Sequence, residues 1–444
     1  MLSVRLNIEK GRECKMPVTT TLTFGDLIKQ HRTNAGLSLS ELADLAAINK
    51  GTISKIENGR NPEFRTLKPI AEALQIPYET YLIPFIEQGQ RPHVLNDILK
   101  DAIEDKRPTY LITKIAEKFL ESEKLDSYEA TSQLFDSTYA LENPELKLAL
   151  FKTIILYSRG HGVMPFLARS LFQEYLIERN NFSKLQETYP AGKYVLKYRD
   201  ALPAGEYARL LYCLAGHAYV IRQYSESVEY CKAFLKTDEQ ETGQLRVYAV
   251  DILRGAYYHL GEYDLVEKYT EEYRRCAPSI EADNDRLLSA MLNAKKGNDD
   301  LAIELFEKSL RLCDDDFIVH AVNEYIAFCF ERDHIDKMEN LILSYETKIH
   351  EQTYITPRER SEVGRFYMLK GDYYTRVNSI NRAISNYIEA AYSYACIADL
   401  DNERECLRQV FSAGNQHSLA ADVVKLIGNY YNRFKKEQEG HHEE

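Results

Sequence analysis

Four stretches of this chain align with one another without gaps. They are LAGHAYVIRQYSESVEYCKAFL (214–235), LRGAYYHLGEYDLVEKYTEEY (253–273), SAMLNAKKGNDDLAIELFEKSL (289–310) and KGDYYTRVNSINRAISNYIEAA (370–391). Each reads as a helix, a short turn and a second amphipathic helix. Corresponding positions of the second helices hold Ser227, Val266, Ala302 and Ala383. The first two intervals are 39 and 36 residues, Met338 in RDHIDKMENLILSYE falls another 36 on, and the next spacing widens to 45. One such hairpin cannot bury its apolar face alone, so a recurrence of this length commits the chain to stacking hairpin on hairpin.

This pattern resembles the tetratricopeptide repeat, in which small residues at a close helix crossing let hairpins stack into a right-handed superhelix. Ala215, Ala290 and Gly371 match its small first-helix position and Pro278 its terminal proline. Residues 93–205 read as two or three divergent hairpins, giving a repeat domain over 93–434. Its last segment, NERECLRQVFSAGNQHSLAADVVKLIGNYY, caps the array or forms a dimer contact, and 435–444 reads as a solvated tail.

Composition agrees with an all-α protein. In 444 residues there are only 20 Gly and 13 Pro, 28% of residues are charged, and Tyr (32) is abundant while Trp is absent. The eight cysteines form no C-x-x-C pair, which fits reduced thiols. No apolar run approaches the roughly 18 residues of a membrane span, and the reading is a cytoplasmic protein without membrane contact. The net charge of −12 is uneven: residues 1–83 carry eleven Lys/Arg against nine Asp/Glu, leaving the excess acid to the remainder. An acidic body repels nucleic acid, so any such contact is expected at the front. Residues 1–20 read as a disordered leader; GRECK before Met16 leaves both Met1 and Met16 open as the start.

The front, 21–83, has its own helical pattern. Phe24, Leu27, Ile28 and Ala35 share a face; Gly36 suits a left-handed cap, and Ser38 caps a helix with Leu39, Leu42, Ala43 and Ala46 inward. Asn49 caps a third helix with Ile53 and Ile56 inward, and a fourth runs from roughly Phe64 to Leu74. The order is helix-turn-helix. The third helix turns Lys50, Gly51, Thr52, Ser54 and Lys55 outward, a set of lysines and short hydroxyls suited to phosphates and base edges of the major groove. LQIPYETYLIPFIEQGQRPH, with three prolines, ends the domain, and 84–92 reads as a linker.

GLSLSELADLAAINKGTISKIENGRNPEFRTLKPIAEAL resembles the XRE/Cro-type repressor domain. The resemblance assigns Lys50, Gly51, Thr52, Ser54 and Lys55 to double-stranded DNA and makes Glu57 structural. Leu39 stands where many relatives carry a DNA-touching Gln, and Pro69 threatens a kink or a shifted start in the fourth helix.

Applying the groove spacing of the tetratricopeptide repeat places Arg209, Tyr212, Tyr248, Asp251, Tyr258, His320, Asn323 and Arg365 on the concave wall. The open alternatives are simple packing for a groove Tyr and a solvated position or an interhelix ion pair for Arg209 or Arg365. Such an array behind an XRE domain resembles the RRNPP family of peptide-pheromone receptors, to which phage arbitrium receptors are related. The resemblance implies a cytoplasmic homodimer on a two-fold operator, controlled by a short signalling peptide in the groove. A second possibility is an adaptor acting through protein partners such as a response regulator. No phosphate-cradling glycine loop, metal-ligand set or nucleophile elbow appears, so neither catalysis nor a cofactor is expected. SRGHGVMP (158–165) reads as a hinge or hairpin turn.

Overall fold

A computed structural model describes residues 23–237, 239–276, 283–354, 356–417 and 420–440. The expected leader and Pro278 lie outside them. The described residues are helical throughout, without strands, and divide into two compact units, 1–163 and 164–444. None of their helices is long and apolar enough to cross a membrane.

The first unit opens with α1 (Phe24–Asn34), α2 (Leu39–Ala46), α3 (Lys50–Glu57), α4 (Phe64–Ala73) and α5 (Tyr78–Ile86). Local chemistry sets their starts. Thr23 with Asp26, and Ser38 with Glu41, form reciprocal capping boxes on α1 and α2, and Asn49 Oδ1 accepts from the Gly51 amide at 2.8 Å on α3. Gly36 takes the left-handed conformation expected of it (φ 67°). Phe24, Ile28, Leu42, Ile53, Ile56 and Leu67 are buried together, whereas Ala35, expected on this face, is the exposed cap of α1. Pro69 sits within an unbroken α4, because the one backbone bond it forfeits is on a helix anchored by four buried side chains.

The unit continues with α6 (Pro92–Glu104), α7 (Thr109–Leu120), α8 (Ser127–Tyr139) and α9 (Pro144–His161). Here the expected boundary shifts. Residues 84–86 belong to α5, whose Phe85 packs 5.1 Å from Phe64, so the front core extends beyond residue 83. α6 and α7 are tied to it by Lys68–Asp105 (3.0 Å), Tyr110–Glu79 (2.7 Å) and the Arg107 guanidinium over Tyr78. The SRGHGVMP turn is the cap of α9, with Gly162 left-handed (φ 72°).

The second unit starts with α10 (Met164–Glu178) and α11 (Leu185–Val195) and continues as hairpins. These are α12 (Ala204–Val220) with α13 (Tyr224–Leu235), α14 (Glu239–Leu260) with α15 (Tyr263–Cys276), and α16 (Asp283–Lys295) with α17 (Asp299–Leu312). Then come α18 (Ile318–Glu331) with α19 (Ile335–Glu351), α20 (Pro357–Arg376) with α21 (Ile380–Ala395), and α22 (Leu400–Gln416) with α23 (Ala420–Gly440). Residues 435–440, expected in the tail, continue α23. Along α12, α14, α16, α18 and α20, helix pairs α12–α14, α16–α18 and α18–α20 pack side by side in the tetratricopeptide manner.

Ser227, Val266, Ala302, Met338 and Ala383, the positions that defined the period, are all fully buried. Ser227 Oγ donates to the Ala215 carbonyl across the first hairpin at 2.9 Å, and a Cβ on Gly371 would lie 2.6 Å from the Tyr387 ring. The first five of these hairpins turn through a left-handed residue: Arg222, Gly261, Gly297, Asp333 and Asn378.

Candidate functional site

Two surfaces follow from this scaffold, one in each unit. In the first unit, Ile53 and Ile56 hold α3 against α1 and α2, which leaves Lys50, Gly51 and Lys55 exposed and Thr52 and Ser54 partly so. All five expected residues therefore lie on the part of α3 that Ile53 and Ile56 leave uncovered. Among the described residues, no carboxylate forms an ion pair with Lys50 or Lys55. Glu57 faces the other way: its two oxygens accept from Arg32 Nε (2.7 Å) and Nη2 (2.8 Å), while Arg32 Nη1 donates to the Leu37 carbonyl (2.9 Å). This clamp fixes the end of α3 to α1 and to the turn before α2. α1 and α3 also approach closely at Gly25, where a Cβ would collide with the Ile56 carbonyl.

In the second unit, α12, α14, α16, α18 and α20 together line a cleft of about 100 Å³ that opens to solvent. Three of the eight expected groove residues, Asp251, Tyr258 and His320, line it. Its apolar lining comes from Ile252, Leu287, Leu288 and Met291, with Tyr219 and Tyr258 adding rings that carry a polar tip.

Asn323 and Arg365 do not line this cleft, and Arg365 takes the interhelix ion pair left open as its alternative. Asn323 is fully buried, and its Nδ2 donates to the carbonyl and to Oε2 of Glu362, each at 2.8 Å. Arg365 donates to Glu324 and lies 3.8 Å from Glu362. His320 Nδ1 is 3.0 Å from Glu362 Oε1. Burial alone would push the Glu362 carboxyl up, but His320, Arg365 and Asn323 outweigh it and hold the carboxyl well below the usual carboxylate range. Asn323 and Arg365 thus bind α18 to α20 behind the cleft wall. Arg209, Tyr212 and Tyr248 do not line the cleft: Arg209 and Tyr248 are exposed elsewhere on α12 and α14, and Tyr212 packs 5.6 Å from Phe234.

Asp251 is held from below. Arg254, fully buried, donates to Asp251 Oδ1 from Nε (2.9 Å) and Nη2 (2.7 Å) and to Asp285 from Nη1 (2.6 Å), with its guanidinium 3.9 Å from the centre of the Tyr273 ring. Asn284 donates to Asp251 Oδ2 at 3.0 Å. Sequence reasoning missed Arg254, Glu362, Glu324 and Arg358. The i, i+3 spacings Asp251–Arg254 and Glu362–Arg365 were legible as same-face pairs, but nothing local showed that their faces turn inward.

The helix-turn-helix family model HTH_3 matches residues 28–80, which therefore form a helix-turn-helix domain. The HTH-type transcriptional repressor RghR of Bacillus subtilis (strain 168) is 37% identical over 70 residues, 15% of this chain and 52% of that protein. The chain thus spans about half the length of this curated relative. Among solved structures, a tetratricopeptide repeat protein from Parabacteroides merdae is 14% identical, covering 63% of this chain and 98% of the other, with a TM-score of 0.48. PlcR of Bacillus thuringiensis, solved with the peptide PapR7 and DNA, is 15% identical, covering 88% of this chain and 99% of the other, with a TM-score of 0.28.

Proposed function

We propose that this chain, whose front is a helix-turn-helix domain of the XRE type, is a cytoplasmic transcription regulator whose DNA binding is set by a short signalling peptide held in the cleft of its helical repeats. The observation that carries the reading is the outward face of α3. On a chain of net charge −12, two lysines without described carboxylate partners, Lys50 at the start and Lys55 in the last turn, flank short hydroxyls on a capped helix. That combination suits phosphate and base edges and little else. The cleft supports the second half: it is concave, lined by both apolar and polar side chains and formed by five successive first helices, so a ligand spanning it touches several hairpins at once.

The proposed mechanism is one of spacing. A two-fold operator requires the heads of a homodimer to sit about one duplex turn apart, or a multiple of it. A peptide that changes the stacking of hairpins alters that spacing, and decisive switching requires that it favour one form by several kcal/mol. Footprinting on the region upstream of the chain's own gene, at fixed salt, with and without a small-peptide fraction of the producing culture, tests this. Protection of a two-fold site that changes with the fraction is the expected result. Protection indifferent to peptides would leave a DNA-binding protein whose repeats serve another partner, and no protection in either condition would favour an adaptor acting through proteins.

A further inference from the structure

The charges around the cleft are unequally satisfied. Asp251 has both oxygens engaged, Oδ1 by Arg254 and Oδ2 by Asn284. Glu324 accepts from Arg365, and His320 lies against Glu362. His259 stacks on Tyr224 with ring centres 4.4 Å apart, and burial pushes its imidazole down from its ordinary value, towards the neutral form. Arg358 remains. It lines the same cleft from α20, is exposed, and among the described residues forms no ion pair or hydrogen bond.

An arginine at the edge of a partly apolar cleft whose neighbouring acids are already engaged is matched by a ligand carboxylate. Its planar fork can hold both oxygens at once, and the ligand need not displace an internal pair to reach it. The apolar lining, with Leu287, Leu288 and Met291 on α16, lies in the same cleft. We infer that the cleft selects a peptide carrying a free carboxylate next to an apolar side chain, with Arg358 taking the carboxylate and the α16 side chains taking the apolar group. This inference rests on the peptide-binding reading above and specifies which peptides satisfy it. The carboxylate comes either from a peptide C-terminus or from an Asp or Glu side chain; both present the same group to Arg358. Because the body of the chain is acidic, long-range attraction does not favour an acidic ligand, and its selection depends on this local contact.

Affinity selection on the full chain tests the inference. The probes are four randomised heptapeptide pools: with or without Asp and Glu, and with a free or an amidated C-terminus. The expected result is enrichment of carboxylate-bearing pools by about tenfold over the pool that has neither source, the scale of a charge-assisted hydrogen bond. The free-acid pool lacking Asp and Glu, set against the amidated pool containing them, identifies the source. Arg358→Gln should abolish the preference while retaining the folded chain and residual binding of apolar peptides, and Arg358→Lys should recover part of it. Equal retention of all four pools by the unaltered chain, or a preference that persists in Arg358→Gln, would overturn the carboxylate anchor while leaving peptide binding standing. Retention of no pool would overturn the peptide-binding reading itself, and this inference with it.

Discussion

Glu57, next to the exposed lysines of α3, faces inward and receives both Nε and Nη2 of Arg32 in a two-pronged ion pair, with side-chain exposures of 7% and 13%. The residue that follows the outward-facing set is therefore a structural anchor for it. Removing one partner strands the other charge, so Glu57→Gln should destabilise the front domain by about 3 kcal/mol. The paired change Arg32→Met with Glu57→Leu should recover much of that loss. Urea unfolding of the single and double variants checks this, and additive losses would show that the pair acts independently.

Lys55 is exposed and forms no ion pair with any described carboxylate. If α3 lies in the major groove with Lys55 on a phosphate, Lys55→Ala should lower DNA affinity and flatten the dependence of log K on log salt by about 0.9. Peptide binding should be unchanged. An unaltered salt slope would remove Lys55 from the phosphate contacts.

Asn323 is fully buried and spends its amide donors on Glu362. Asn323→Ala should therefore act first on the joint between α18 and α20, costing about 2 kcal/mol through the lost donor to a buried carboxylate. Hydrogen exchange in α18 and α20 should accelerate. In a double-mutant cycle with Glu362→Gln, the two losses should be less than additive. Lost peptide affinity with unchanged exchange would return Asn323 to direct contact with the ligand.

The period and the caps were legible because they are local. Ser38 and Asn49 act within a few residues, and Ser227 to Ala383 recur at helical-hairpin spacing, so both survive in a linear reading. The cleft was legible only in part, because it is formed where five helices meet. Asp251, Tyr258 and His320 lie on faces that the repeat spacing does predict. The burial of Arg254 and the turning of Arg365 onto Glu324 depend on partners 31 and 41 residues away. Gly25 was passed over for the same reason, since what forbids a side chain there is the backbone of another helix. The turns show a further limit: Arg222, Asp333 and Asn378 occupy left-handed positions where glycine would have announced the turn.

Ala47 offers a direct test of that cost. It closes α2 in the left-handed conformation (φ 51°) and is exposed. A Cβ there brings strain and no packing, so Ala47→Gly should stabilise the front domain by about 0.5–1 kcal/mol without altering DNA affinity. A higher urea midpoint at an unchanged slope is the expected outcome. A lower midpoint would mean that the freedom glycine adds to the unfolded chain exceeds the strain it relieves.

His217 makes the second unit sensitive to acid. Tyr175 OH lies 3.0 Å from its Nδ1 and the Leu185 carbonyl 2.9 Å from its Nε2, an arrangement that suits the neutral ring with Tyr175 donating and Nε2–H donating onward. Burial pushes its imidazole down, only partly offset by the bond to Leu185, to about 4 from an ordinary value of about 6.5. Above pH about 6.5 the ring is neutral whether the chain is folded or unfolded, and the local structure keeps its full stability. As pH falls from there toward 4, the unfolded chain takes up a proton that the folded chain refuses, and stability declines by up to about 3 kcal/mol. Below the folded value both states are protonated and this loss stops growing. Hydrogen exchange of α10 and α12 at pH 7.5 and pH 5 should show protection falling with acid, and His217→Gln should flatten the trend. The same decline in both proteins would place the acid sensitivity in groups other than His217.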